Sequence, residues 1–125
     1  MTDIEPITTS RQVRDGVVVL SVCGEIDMST ASFFEKAIAD VLADGPPTLV
    51  IDLTEVTLLA SAGLRLLAAA NKRFVLATAN KFGESGGFAV VAGAPATIRP
   101  IELTDLNEIF DLYPTLDDAL ETMRF

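Results

Sequence analysis

Three kinds of side chain in this sequence could do chemistry: a single cysteine, carboxylates set in or beside apolar runs, and a serine where a helix begins. Histidine is absent, which excludes Ser-His-Asp and Cys-His nucleophiles and any metal site built on imidazole. No glycine-rich segment ends in Lys-Ser or Lys-Thr, and no Gly-x-Gly-x-x-Gly follows a strand pattern. Glu84-Ser85-Gly86-Gly87 comes after a helical pattern, the wrong context for cradling phosphate. Asp27 and Asp52 fall at strand ends or interiors and stay open as a carboxylate pair, although spacing alone does not bring them together. Cys23 closes the apolar run from Val17 and has no cation beside it. It reads as a small buried hydrophobe rather than a reactive thiol. As the sole cysteine it cannot form a disulfide within the chain, which fits a reducing compartment. A non-enzyme without cofactor or metal is the expectation.

Ser61 is the more informative residue. In Leu58-Leu59-Ala60-Ser61-Ala62-Gly63-Leu64 an apolar connection leads to a serine, and helical periodicity starts there. The plain reading is an N-cap worth ~1 kcal/mol. Ala62 and Gly63, however, let another molecule approach the backbone closely. Gly63 also costs up to ~1 kcal/mol of helix propensity relative to alanine, which a packing or access requirement could explain. A helix start favours negative charge. A phosphoryl group on Ser61 would add about −1.5 to −2 charges that the helix tolerates, while a partner's carboxylate would be repelled. Gly24-Glu25-Ile26-Asp27 reads as a polar strand–helix loop in which Asp27 helps to cap Thr30 and its neighbours. Loops that follow parallel strands gather at the strands' carboxyl ends, so this loop and Ser61 can share one face.

The elements that must position these residues alternate. Ile4 to Val13 reads as an edge strand, turning at Asp15-Gly16 into a strand from Val17 to Cys23. A helix follows, with Ser29 or Thr30 as N-cap and Ala31, Phe34, Ile38, Val41 and Leu42 on one apolar face; Gly45-Pro46-Pro47 ends it. Thr48 to Leu53 is a strand covered on both faces, with Asp52 as its exception. A connection through Thr57, Leu58 and Leu59 leads to a helix from about Ala62 to Lys81, broken by Gly83, Gly86 and Gly87. Phe88 to Ala92 is a buried strand. Ala96 to Leu106 is a helix that Pro100 must kink unless it lies near the start. Ile109 to Tyr113 is a last strand, and Thr115 with Asp118 forms a capping box for a helix that turns Leu116, Ala119, Leu120 and Met123 inward. The order β-β-α-β-α-β-α-β-α predicts one α/β domain over residues 1–125. Its sheet of four to five strands is mixed and mostly parallel, with about four helices packed on it.

Composition narrows the partners. Half of the 125 residues are apolar, enough for a core without staples. The net charge is −9, and the nine cations are scattered singly apart from Lys72-Arg73. That balance repels a phosphate backbone and argues against nucleic acid. No run approaches the ~18 apolar residues of a membrane span. Met1 to Pro6 lacks a basic segment leading into an apolar one, so no signal peptide is read there and a cytoplasmic location is expected.

Gly24-Glu25-Ile26-Asp27, then Val50-Ile51-Asp52-Leu53 with Val56-Thr57 and Ser61-Ala62-Gly63-Leu64, resemble in that order the STAS domain of anti-sigma factor antagonists. Glu102-Leu103-Thr104-Asp105-Leu106 and Tyr113-Pro114-Thr115-Leu116-Asp117-Asp118-Ala119-Leu120 are similar to the end of that domain. The resemblance implies an anti-anti-sigma factor with Ser61 as phosphoacceptor and Asp27, Ser29, Thr30, Ala62, Gly63 and Leu64 as contact residues. Unmodified, it would bind an anti-sigma factor of the serine-kinase type and release a sigma factor. Phosphorylation of Ser61 would end the interaction, and a phosphatase would restore it. Two positions depart from the family's pattern: Ala60 stands where an aspartate is common, removing an acidic neighbour that a kinase would read, and Asp105 replaces a common glycine. A non-switching STAS scaffold in a stress-signalling or lipid-transport complex is the alternative. A receiver or enzyme using Asp27 and Asp52 is a third reading, disfavoured because Asp52 sits inside an apolar strand.

Overall fold

The computed structural model describes residues 7–79 and 87–123. Strand β1 (Ile7–Arg14) turns at Asp15 and Gly16, both at positive φ, into β2 (Val17–Ile26). Helix α1 (Ala31–Ala43), β3 (Thr48–Leu59), α2 (Ser61–Ala79) and β4 (Gly87–Val91) follow. Helix α3 (Pro95–Leu103), a 3-10 turn at Leu106–Glu108, β5 (Asp111–Tyr113) and α4 (Leu116–Met123) complete the fold. The strands form one sheet in the order β1-β2-β3-β4-β5. β1 is antiparallel to β2, and every later pairing is parallel. The predicted architecture and element order are those observed.

Alternation along the strands divides the core in two. Leu20 and Val22 of β2, Leu49, Ile51 and Leu53 of β3, and Val90 of β4 face α1, α2, α3 and the 3-10 turn. There they meet Phe34 and Ile38 of α1, Leu67 and Phe74 of α2, and Ile101 of α3. Val17, Val19, Val50, Ala89 and Val91 point the other way, onto Ala119 and Leu120 of α4. An eight-residue helix spans only about 12 Å, so α4 covers only part of that face.

That gap corrects the reading of Cys23. Its side chain follows Val17, Val19 and Ser21 onto the α4 face, beyond the first turn of the helix, and it is exposed. Asp52 likewise follows Val50 onto this face and is half-buried rather than sealed in the core.

Several boundaries also differ. β2 continues through Gly24, Glu25 and Ile26, and β3 through Leu58 and Leu59, because the two strands stay paired to Ile26↔Leu59 across two register shifts. The segments expected to be loops are thus the ends of two long parallel strands. The last strand is only three residues, since Leu106–Glu108 tightens into a 3-10 turn and Ile109 follows it as a turn. Pro95 takes the first position of α3, where its missing N–H is harmless, and Pro100 lies inside the helix. The Thr104 hydroxyl donates to the Pro100 carbonyl at 2.8 Å. Asp105 adopts φ +59°, the left-handed region that favours glycine. Ile4 to Pro6 of the first predicted strand, and Lys81 to Gly86 after α2, lie outside the described residues.

Candidate functional site

The site lies where β2 and β3 end together. The Ala60 amide donates to the Ile26 carbonyl at 2.8 Å, tying the start of α2 to the end of β2. The amides of Gly63 and Leu64 then donate to the Ala60 carbonyl, at 2.9 and 3.1 Å. Ala60 is therefore the residue that caps the helix, and Ser61 occupies the first helical position. This corrects the N-cap reading: the Ser61 hydroxyl is not engaged in holding the helix end, and the residue is exposed. Among the described residues it takes no side-chain hydrogen bond.

Gly63 explains the tightness of the joint. A Cβ added there would lie 2.6 Å from Ile26 Cγ2 and 2.6 Å from Leu59 Cδ1. Both of those side chains are buried, so packing of α2 against the two strand ends is what requires glycine.

Across from Ser61, Asp27 organises its own turn. One carboxylate oxygen, Oδ1, accepts from the Ser29 hydroxyl at 2.7 Å, the Ser29 amide at 2.9 Å and the Thr30 amide at 3.2 Å. The Ser29 hydroxyl, more than any other contact, holds the Asp27 carboxyl below the usual carboxylate range; desolvation works against it, and the two amides add to it. Thr30 precedes α1, yet its hydroxyl does not cap that helix. It donates to the Glu25 carbonyl at 2.8 Å and accepts from the Asp27 amide at 2.9 Å. Thr30 is buried as a result.

The structure thus brings the predicted residues to one end of the sheet but divides them. Ser61 and Ser29 are exposed, Asp27 and Leu64 are partly so, and Thr30, Ala62 and Gly63 are buried. Buried members can act on a partner only through the shape they give their neighbours. Two residues that the motifs did not single out stand on the same surface. Met28, held out by the Asp27 turn, is 85% exposed. Arg65 lies one helical turn beyond Ser61, and with Ser61, Leu64, Ala68, Thr104 and Leu106 it lines a groove of about 240 Å³. The signal for both was their spacing: Met28 directly follows Asp27, and Arg65 is four residues from Ser61.

Asp27 and Asp52 do not converge. Asp52 pairs with Ser21, six residues before Asp27 along β2, a separation of roughly 20 Å. Its Oδ1 accepts from the amide of Thr54 at 3.0 Å and from the Thr54 hydroxyl. It lines a separate hollow with Ser21, Glu55, Thr115 and Asp117. Among the described residues no three His, Cys, Asp or Glu side chains group to hold a metal, and no helix is long and apolar enough to cross a membrane.

A mostly parallel sheet whose strand ends carry an exposed serine beside a self-bonded aspartate turn defines a class: an α/β domain with polar side chains gathered at one end of its sheet. The STAS domain family model matches residues 8–119, and the chain belongs to that family. It is 46% identical over 120 residues to the anti-sigma-F factor antagonist RsfB of Mycobacterium tuberculosis, covering 96% of this chain and 92% of that protein. The crystal structure of an anti-sigma factor antagonist from Mycobacterium paratuberculosis aligns over the whole of both chains, with 51% identity and a TM-score of 0.84. The phosphorylated form of the Bacillus cell fate determinant SpoIIAA, at 14% identity and a TM-score of 0.65, covers 94% of this chain and all of its own; it shares the fold.

Proposed function

We propose that this chain is an anti-sigma factor antagonist. In its unmodified form it binds an anti-sigma factor of the serine-kinase type in the cytoplasm and thereby releases a sigma factor. The kinase transfers the γ-phosphoryl group of ATP to Ser61 Oγ; ADP leaves, and the hydroxyl proton passes to a base on the kinase. A phosphatase later hydrolyses the phosphoester. The chain itself is a regulator and catalyses none of these steps.

The observation that carries this reading is the placement of Ser61: exposed, free of the capping role, and joined by the Ala60–Ile26 hydrogen bond to the Asp27 turn. A phosphate there meets the positive end of α2, so the fold tolerates it. A partner carboxylate about 6 Å away would be opposed by about 3 kcal/mol at an effective dielectric of ~20, roughly a hundredfold in affinity. The likeness to an anti-sigma-F factor antagonist of Mycobacterium tuberculosis supports an anti-sigma factor as the partner. Asp27, Ser29 and Leu64 are the contact residues that reach the surface, with Thr30, Ala62 and Gly63 shaping it.

Ala60, in place of the family's common aspartate, favours a second reading, a STAS scaffold that binds without being phosphorylated. Recovery of the chain with its bound protein from the native cell, followed by incubation of the pair with ATP, separates the two. A phosphoryl mass added at Ser61 supports the switch; an unchanged mass with a stable complex supports the scaffold.

A further inference from the structure

Ser61 and Arg65 lie four residues apart on α2, so their Cβ atoms are about 5–6 Å from each other on one helix face. Both are exposed, and both line the groove completed by Leu64, Ala68, Thr104 and Leu106. Among the described residues Arg65 is the only charged one in that lining, and no carboxylate shares it. The two ion pairs among the described residues, Arg11–Asp44 and Lys36–Asp40, leave its guanidinium uncommitted. The carboxylates of the surrounding elements are bonded elsewhere or stand outside the lining. Asp27 is bonded within its own turn, and Glu102, Asp105 and Glu108 are exposed outside the groove. Ala60 removes the acid that would otherwise stand next to the serine.

The geometry points to Arg65 as an intramolecular clamp for phosphorylated Ser61. This rests on the proposed phosphorylation of Ser61 and adds what the phosphate does once it is there. A guanidinium presents two parallel N–H donors that match two phosphate oxygens. Drawn back one turn towards the helix start, Arg65 bonds the phosphate and moves across the mouth of the apolar groove. Modification then acts twice on an approaching partner. It adds a charge that repels a carboxylate, and it withdraws the cation that such a carboxylate would have met. Arg65 is a positioning residue here, acting through the phosphate.

The test uses the full chain with phosphoserine installed at position 61 during translation, so that it does not depend on any kinase. Phosphorus NMR follows the second ionisation of the phosphate against pH. In the phosphorylated chain this ionisation falls at a pH lower than in its Arg65→Gln variant by roughly 0.3 of a unit, the size expected for an exposed pair four residues apart. Arg65→Lys keeps part of the shift. Arg73→Gln removes the same charge from the same helix about 12 Å further along the axis, and leaves the titration unchanged. The Arg65 Nε–H resonance, read in the same samples, moves on phosphorylation and exchanges more slowly with water. If the phosphate titrates identically with and without the Arg65→Gln substitution, and the Nε–H signal stays unmoved, the clamp is overturned. Failure of a kinase to modify Ser61, with the shift intact, overturns only the kinase switch.

Discussion

At the scale of single residues, the fold frees the hydroxyl on which the proposed switch depends. Ala60 takes the first helical hydrogen bonds, so Ser61 is exposed without structural duty. Ser61→Glu should therefore keep its unfolding free energy within about 0.5 kcal/mol of wild type, as surface substitutions do, while losing partner affinity about a hundredfold. Denaturation curves beside a binding isotherm check both halves. Asp27 predicts a pH effect with a definite sign. Its carboxyl is held below the ordinary value of 3.8, so its stabilisation of the folded turn is present above that value and is lost as pH falls through the folded one. The stability gap between wild type and Asp27→Asn should narrow below pH 3.8, and it is measured by denaturation across that range. The Asp27 turn was legible in the sequence because turn chemistry is local, whereas the capping role read for Ser61 falls to Ala60. Cys23 was not legible: its burial depends on where α4 begins over the sheet, which no local pattern records. A maleimide should label Cys23 in the native protein at the rate of an exposed thiol.

At the scale of elements, the joint between α2 and the strand ends sets the site's geometry. Gly63→Ala gains helix propensity of up to ~1 kcal/mol yet forces a methyl into Ile26 and Leu59, an overpacking that costs ~1–3 kcal/mol. A net loss of about 1 kcal/mol in denaturant unfolding is expected. Asp105 makes the opposite case. It holds φ +59°, a backbone conformation that favours glycine, so Asp105→Gly should raise stability by up to ~1 kcal/mol, read as an increase in melting temperature. Helix α1 and strands β3 and β4 were legible from apolar spacing and from Gly-Pro punctuation. The extension of β2 to Ile26 and of β3 to Leu59 was not, because each strand's polar end is held by pairing with the other rather than by its own side chains.

At the scale of the whole molecule, the mostly parallel character of the sheet followed from the alternating elements. Which face each helix covers could not be read that way. Among the described residues three helices crowd one face and α4 alone meets the other, and this asymmetry leaves Cys23 and Asp52 outside the core. The same topology separates Asp52 from Asp27 and gathers Ser61, Met28 and the Asp27 turn at one end of the sheet, the surface proposed for a partner. The most direct test is titration of the anti-sigma factor recovered from the native cell with two forms of this chain, unmodified and carrying phosphoserine at position 61. The unmodified form should bind, and the phosphorylated form should bind about a hundredfold more weakly while melting at the same temperature. Equal affinity of the two forms would mean that charge at the start of α2 does not govern docking.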